Sequence, residues 1–322
     1  MDKSLIASPS APRLVRTVLG NIPSESLGIT DAHNHIWIDL IPGADPAAPV
    51  LNQFEQIRDE LNAYRSAGGN TILDCQPGGC GRNGNQLIRL SSETRVNIIT
   101  CTGFHRKKYY PPNHWLFTAG VKKTAEYFIR ELTRSLEETK GPPDSARAGF
   151  IKLAFEAVWG DTPLAALEGA AEAAHKTGAM IEIHTEKGAL AEKVVIFFEE
   201  NGVSPNQLVL CHMDKRPDFG LHVELARYGV LLEYDTFYRP KYEPELKLWP
   251  LICKMVEAGF ENRVVLATDM AEAEMYKTIG GGPGLASLPG EIKSRLSETG
   301  ISENAIRQML GGNIARRLAG LN

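Results

Sequence analysis

The sequence predicts an α/β fold: a single (β/α)8 TIM barrel over residues 1–322, with C-terminal capping helices. Two observations carry that expectation. Eight short apolar runs recur along the chain and alternate with longer stretches of helical period, the pattern of a closed parallel sheet. A doubly wound open sheet would carry a glycine-rich phosphate loop after its first strand, and no such loop follows residue 32.

Strands are expected at 28–32, 70–74, 96–101, 149–153, 179–183, 207–211, 230–234 and 263–268. Between them the helical period places helices at 51–66, 85–93, 122–139, 163–177, 189–201, 219–228 and 243–258. Gly178, Gly202, Gly229 and Gly259 stand just beyond four of these, where a left-handed C-terminal residue favours glycine. Helices at 289–298, 302–310 and 312–319 form the expected cap. No short-period repeat or low-complexity segment interrupts the pattern.

Of the 322 residues 43% are hydrophobic and 23% charged, enough for a full core. A net charge of −4, with Lys and Arg scattered, gives no electrostatic case for nucleic acid or an anionic membrane. The run Arg106-Lys107-Lys108 reads as a solvated loop. Cys75, Cys80, Cys101, Cys211 and Cys253 include no C-x-x-C pair, which fits buried thiols in a reducing compartment. The N-terminal stretch 8–12 is polar, with no apolar leader behind it, and no run reaches 18 apolar residues. A soluble, cytoplasmic protein is expected.

Residues able to hold metal fall at strand ends, where a parallel barrel places its chemistry. His33 and His35 form an H-x-H pair at the end of the first run, two residues apart and therefore on one side of an extended chain. His184 ends the fifth run, His212 the sixth and Asp269 the eighth; Lys152 lies in the fourth. Each has an ordinary reading alone: a structural histidine, a helix-capping aspartate, a lysine snorkelling to the rim. His175 and His222, on expected helices, and His114, in a loop, read that way. Together the six make a ligand set for first-row divalent ions such as zinc, manganese, cobalt or iron. Desolvation of Lys152 would depress its pKa, and the neutral amine could add carbon dioxide to give a carbamate.

The segments that carry these residues resemble the phosphotriesterase-like family of the amidohydrolase superfamily over most of the chain, nearest to its sugar-lactonase and phosphosugar-lactonase members. The resemblance rests on Thr17-Val-Leu-Gly-Asn-Ile-Pro-Ser-Glu-Ser-Leu-Gly-Ile-Thr-Asp-Ala-His33-Asn-His35 and on Asp74-Cys-Gln-Pro-Gly-Gly-Cys-Gly-Arg82-Asn-Gly. Thr102-Gly-Phe-His105 with Tyr109-Tyr110-Pro111, Thr268-Asp269, and Gly280-Gly-Gly-Pro-Gly284 extend it. It implies two divalent ions per chain. His33, His35 and Asp269 would hold the buried one, His184 and His212 the exposed one, and carboxylated Lys152 would bridge them. It also implies hydrolysis of an ester by a metal-bridging hydroxide whose proton Asp269 takes, and a homodimer.

The chain departs from the family in two places. The residue between the paired histidines is often Glu and here is Asn34. The loop after the eighth strand carries Glu272 and Glu274 where members acting on phosphorylated sugar lactones carry a basic residue, which argues against a phosphate. Arg239, Lys241 and Tyr276 remain to supply part of an anion site, and His105 is either a pocket residue or a loop hydrogen-bonder. A lactonase for a sugar-derived lactone is the leading expectation. A phosphotriester or carboxyl-ester hydrolase is the alternative, and an inactive metal-binding module the remote one.

Overall fold

The computed structural model describes residues 13–139, 141 and 145–320. The polar stretch 8–12 and both ends of the range 1–322 lie outside the described residues. Eight parallel strands run in chain order around one sheet: β3 (Ile29–Asn34), β4 (Gly69–Asp74), β5 (Asn97–Gly103), β6 (Phe150–Ala154), β7 (Ile181–His184), β8 (Leu208–Cys211), β9 (Leu231–Tyr234) and β10 (Val264–Leu266). The last meets the first. Asp269 N–H donates to the His33 carbonyl at 3.0 Å, and Thr268 Oγ1 donates to Asp31 at 2.5 Å. The expected barrel is therefore present.

Strand periodicity explains both cores. Ile151, Leu153, Ile181, Ile183, Leu210, Leu232 and Leu266 point outward and pack under the surrounding helices. Their alternates Phe150, Val209, Cys211, Leu231, Val265 and Ala267 point into the barrel. In this inward phase the lower positions are apolar, while the next ones up are Lys152, Glu182, Cys211 and Glu233. The interior thus changes from hydrocarbon to ionisable groups along the barrel axis.

The outer layer comprises α1 (Phe54–Ser66), α2 (Gly84–Thr94), α3 (Val121–Thr133), α4 (Leu164–Thr177), α5 (Ala191–Glu200), α6 (Phe219–Tyr228) and α7 (Leu248–Glu257). α3 stops six residues short of the expected 139. There Leu136 N–H donates to the Ala146 carbonyl, and the chain turns so that Glu138 joins Glu131 on the buried Arg82 guanidinium. α7 begins late because Glu243 adopts φ +52, outside the helical region. After α8 (Lys277–Gly280), the cap consists of α9 (Lys293–Glu298), α10 (Glu303–Arg307) and α11 (Asn313–Leu318), with wider π-type turns at Leu288–Ile292 and Gln308–Gly312.

One element escapes the sequence reading. β1 (Leu14–Thr17) and β2 (Gly20–Pro23) form an antiparallel hairpin. Its Val15 joins Leu27 and, from α11, Ile314 in the barrel's lower core, so hairpin and cap together seal the end away from the histidines. No helix among the described residues is long and apolar enough to cross a membrane.

Candidate active site

The six residues expected at strand ends converge at the barrel mouth. His33 lies near the end of β3 and His35 just past it, after an irregular step in the pairing between Asp31 and Asn34 that re-aims the chain. Lys152 is the inward central residue of β6. β5 approaches it so closely that a Cβ on Gly103, itself at φ +118, would overlap the Lys152 carbonyl oxygen. Glycine there lets Phe104 N–H donate to that oxygen at 2.8 Å. His184 ends β7. His212 and Asp269 leave β8 and β10 in the left-handed region, at φ +63 and +46. Such conformations cost on the order of 1–3 kcal/mol each in non-glycine residues and cluster at functional sites.

The imidazoles are held from behind. His35 Nδ1 donates to Gln76 Oε1 at 2.7 Å, and His212 Nδ1 donates to Asp235 Oδ2 at 2.5 Å. His33 Nδ1 lies 2.7 Å from Glu233 Oε1. These contacts turn the Nε2 atoms inward. His33 Nε2 and His35 Nε2 lie 3.6 and 3.8 Å from Asp269 Oδ1, and His212 Nε2 lies 2.8 Å from His184 Nδ1. Backing of this kind is what fixes the orientation of metal-binding histidines. Lys152 Nζ sits against the His33 ring at 3.2 Å and donates to Glu182 Oε1 at 2.7 Å.

Burial sets the protonation. It lowers His33, His105 and His212 well below the usual imidazole range, pulls His35 to about 4, and lowers His184. For the four ligand candidates among them this shift favours the neutral form that ligation demands. For Asp269 burial pushes upward, but His212 and Arg239 outweigh it and the carboxyl stays below its ordinary value. Arg239 holds it directly, donating to Asp269 Oδ2 at 3.1 Å and to its carbonyl at 2.6 Å. Lys152 departs from the sequence argument: burial does lower it, but Cys211, Glu182, Cys75 and Glu233 raise it by more. Desolvation alone therefore does not free the amine.

The cluster is suited to metal ions. His33, His35 and Asp269 offer ligand atoms within 4.8 Å of one another, as do His33, His212, Glu233 and Asp235. Buried Glu182 Oε2 and Glu233 Oε2 lack a hydrogen-bond partner, a costly arrangement without a cation.

The expected substrate contacts separate. His105 stands at the mouth, its ring 5.9 Å from His35 and 5.8 Å from His184, and Arg239 reaches Asp269. Lys241 is exposed, its ammonium 5.1 Å from the Tyr242 ring. Tyr276 is fully buried, and its hydroxyl donates to the His35 carbonyl at 2.6 Å. Asn34 lies beneath the ligands, donating to Asp31 and Thr268. His175 is exposed on α4, His222 is buried against Tyr234, and His114 packs on Tyr110. Sequence reading missed Gln76, Glu182, Glu233, Asp235 and Lys215. A signal existed for the acids: Ile-Glu-Ile-His and Leu-Leu-Glu-Tyr-Asp place Glu182, Glu233 and Asp235 in the inward phase of apolar strands.

The comparisons agree with this geometry. The chain is 29% identical over 326 residues to a phospho-furanose lactonase of Mycoplasmopsis synoviae, covering 95% of this chain and 92% of the relative. It is 25% identical over 352 residues to an N-acetyltaurine hydrolase of Danio rerio, covering 94% and 97%. The crystal structure of a lactonase from Listeria monocytogenes superposes with a TM-score of 0.86 at 26% identity, over 95% of this chain and 98% of that one. Residues 13–318 match the Phosphotriesterase family, and a match of that extent, on an eight-stranded barrel with this cluster at its mouth, makes the chain a hydrolase belonging to that family.

Proposed function

We propose that this hydrolase is a lactonase acting on a sugar-derived lactone, with two divalent ions, zinc foremost, held by His33, His35, Lys152, His184, His212 and Asp269. The observation that carries the reading is the convergence of neutral imidazoles on an ionised Asp269 beneath an open mouth. The lactonases among its relatives favour a cyclic ester over a phosphotriester or an open carboxyl ester. Ions in this site would supply a Lewis acid and an activated water near neutral pH.

The protein's own groups do the rest. Asp269 faces His33 and His35 through Oδ1 and is steadied through Oδ2 by Arg239, so it can take the proton of the attacking water and return it to the departing alkoxide. Gln76, Glu233 and Asp235 keep the imidazoles aimed. Next to cations the Lys152 ammonium would be destabilised, and the amine, by adding carbon dioxide and losing a proton to solvent, would become a carbamate able to serve as one of their ligands. We read residues 1–322 as one domain, the five unpaired cysteines as fitting a cytoplasmic compartment, and the family likeness as fitting a homodimer.

The test is a screen of aldonolactones, with and without a 5-phosphate, against metal-loaded protein, with paraoxon alongside. Lactone turnover is expected; paraoxon turnover with none on lactones overturns the reading. Elemental analysis should find close to two ions per chain, and Lys152→Met should lose both activity and the bridge, whereas full activity in that variant removes the bridging role.

A further inference from the structure

Beside the cluster lies a cavity of about 350 Å³, at the small end of the range for ligand sites. His35, Gln76 and His105 form its inner end, which makes it continuous with the candidate active site. Its walls come from the loop after β3, with Ile38, Leu40, Ile41, Pro42, Pro49 and Val50 turned to the space. Ile38 and Leu51 pair across the neck of this loop through two backbone hydrogen bonds of 2.8 and 2.9 Å, and Asp39 N–H donates to the Gly81 carbonyl. The pocket is thus preformed rather than assembled on binding.

Its electrostatics are one-sided. No lysine or arginine is among the residues that line it. Its two acids are engaged: Asp39 accepts from Trp37 Nε1 at 2.8 Å and Asn83 Nδ2 at 2.9 Å, and Asp45 accepts from Ala47 N–H at 2.9 Å. Arg106 is paired with Glu156 and Glu186. Lys107 and Lys108 line a neighbouring depression that shares Gly43, Ala44 and Asp45 with the pocket, and the Lys108 ammonium lies 4.9 Å from the ring of Tyr109, which contributes to the pocket wall. Across the mouth, Arg239 is paired with Asp269, and Glu272 and Glu274 are exposed.

We propose that this pocket receives an uncharged, apolar arm of the substrate, so that the lactone carries an alkyl or deoxygenated substituent rather than a phosphate. The proposal rests on the lactonase reading for the ring and on the pocket alone for the arm. An arm leaving the ring carbon past His105 enters a space walled largely by aliphatic side chains of the loop, with Asp39 and Asp45 but no lysine or arginine in its lining. A phosphate there would be desolvated without a partner.

The experiment separates the two. Calorimetry on metal-loaded protein measures binding of γ-butyrolactams bearing a methyl, propyl or pentyl arm, while turnover is followed on the matching γ-lactones and on one with a phosphorylated arm. Affinity should rise about threefold to fourfold per methylene until the pocket is full, with the gain in KM rather than kcat. Leu40→Asp, at a residue 70% exposed and so tolerant of change, and Val50→Asp should each flatten that slope. Affinity independent of arm length, or a preference for the phosphorylated arm, overturns the proposal and leaves the lactonase reading standing. Length-dependent lactam binding without lactone turnover keeps the pocket and removes the lactonase; neither binding nor turnover removes both.

Discussion

On one side of the barrel mouth, β8, β9 and β10 and their loops bring Lys215, Asp235, Arg239 and Asp269 together, with 3.9 Å between Lys215 and Asp235 and 3.1 Å between Arg239 and Asp269. On the other, the loop after β3 offers Ile38, Leu40, Ile41 and Val50 and leaves no charge without a partner. Both walls frame the same histidines. The charged wall is a closed ionic network whose work is protonation, and the apolar wall can act only by complementarity of shape and solvation. Chemistry and selection are therefore assigned to different strands of one barrel, and substitutions on the two walls should report in different kinetic constants.

The largest effect is expected on the charged wall. Asp269→Asn keeps the shape and removes the proton acceptor, so kcat should fall by about 10²–10⁴-fold in steady-state assays while KM changes little. An equal loss in the Leu40→Asp variant would erase the distinction between the walls. Next is the support behind the wall: Glu233→Gln weakens the hold on His33 Nδ1 and should reduce metal affinity by about 10–100-fold, read by competition with a chelator.

How much of this was legible in the sequence differs between the walls. All eight barrel strands and the six ligand candidates could be read from it, because strand period and strand-end placement are local properties. The hairpin of β1 and β2 was not, since four-residue strands carry too little periodicity to separate from loop. Tyr276 looked like a mouth residue, yet its hydroxyl is engaged by the His35 carbonyl, a contact across 241 positions that no local pattern encodes. The positive φ of His212 and Asp269 is equally hidden, because nothing in a histidine or aspartate announces a left-handed backbone. The apolar wall could be read as residue types but not as a cavity, since that depends on the neck between Ile38 and Leu51.

A third effect lies outside both walls, in pH-dependent stability rather than in the site. His222 is buried on α6, its Nε2 donating to the Arg216 carbonyl while Nδ1 accepts from the Tyr234 hydroxyl, and burial pulls it to about 4. The unfolded chain titrates near 6.5 and so binds more protons than the folded one between those values. This contribution is present above pH 6.5 and is lost as pH falls toward 4, amounting to about 3 kcal/mol at most. Denaturant unfolding at pH 7 and pH 5 should show a smaller acid-side loss in His222→Asn than in the parent chain, and an identical loss would remove His222 as its source.

The bridge between Ile38 and Leu51 has a consequence for how such an enzyme changes its diet. Residues 39–50 hang from that neck as a cassette, while the ligands sit on strands fixed by the rest of the sheet. Exchange of the cassette for one of different length or polarity alters which substrates enter and leaves the catalytic floor in register. The bridge at the base of the loop thus separates the residues that shape the pocket from the strands that carry the ligand candidates.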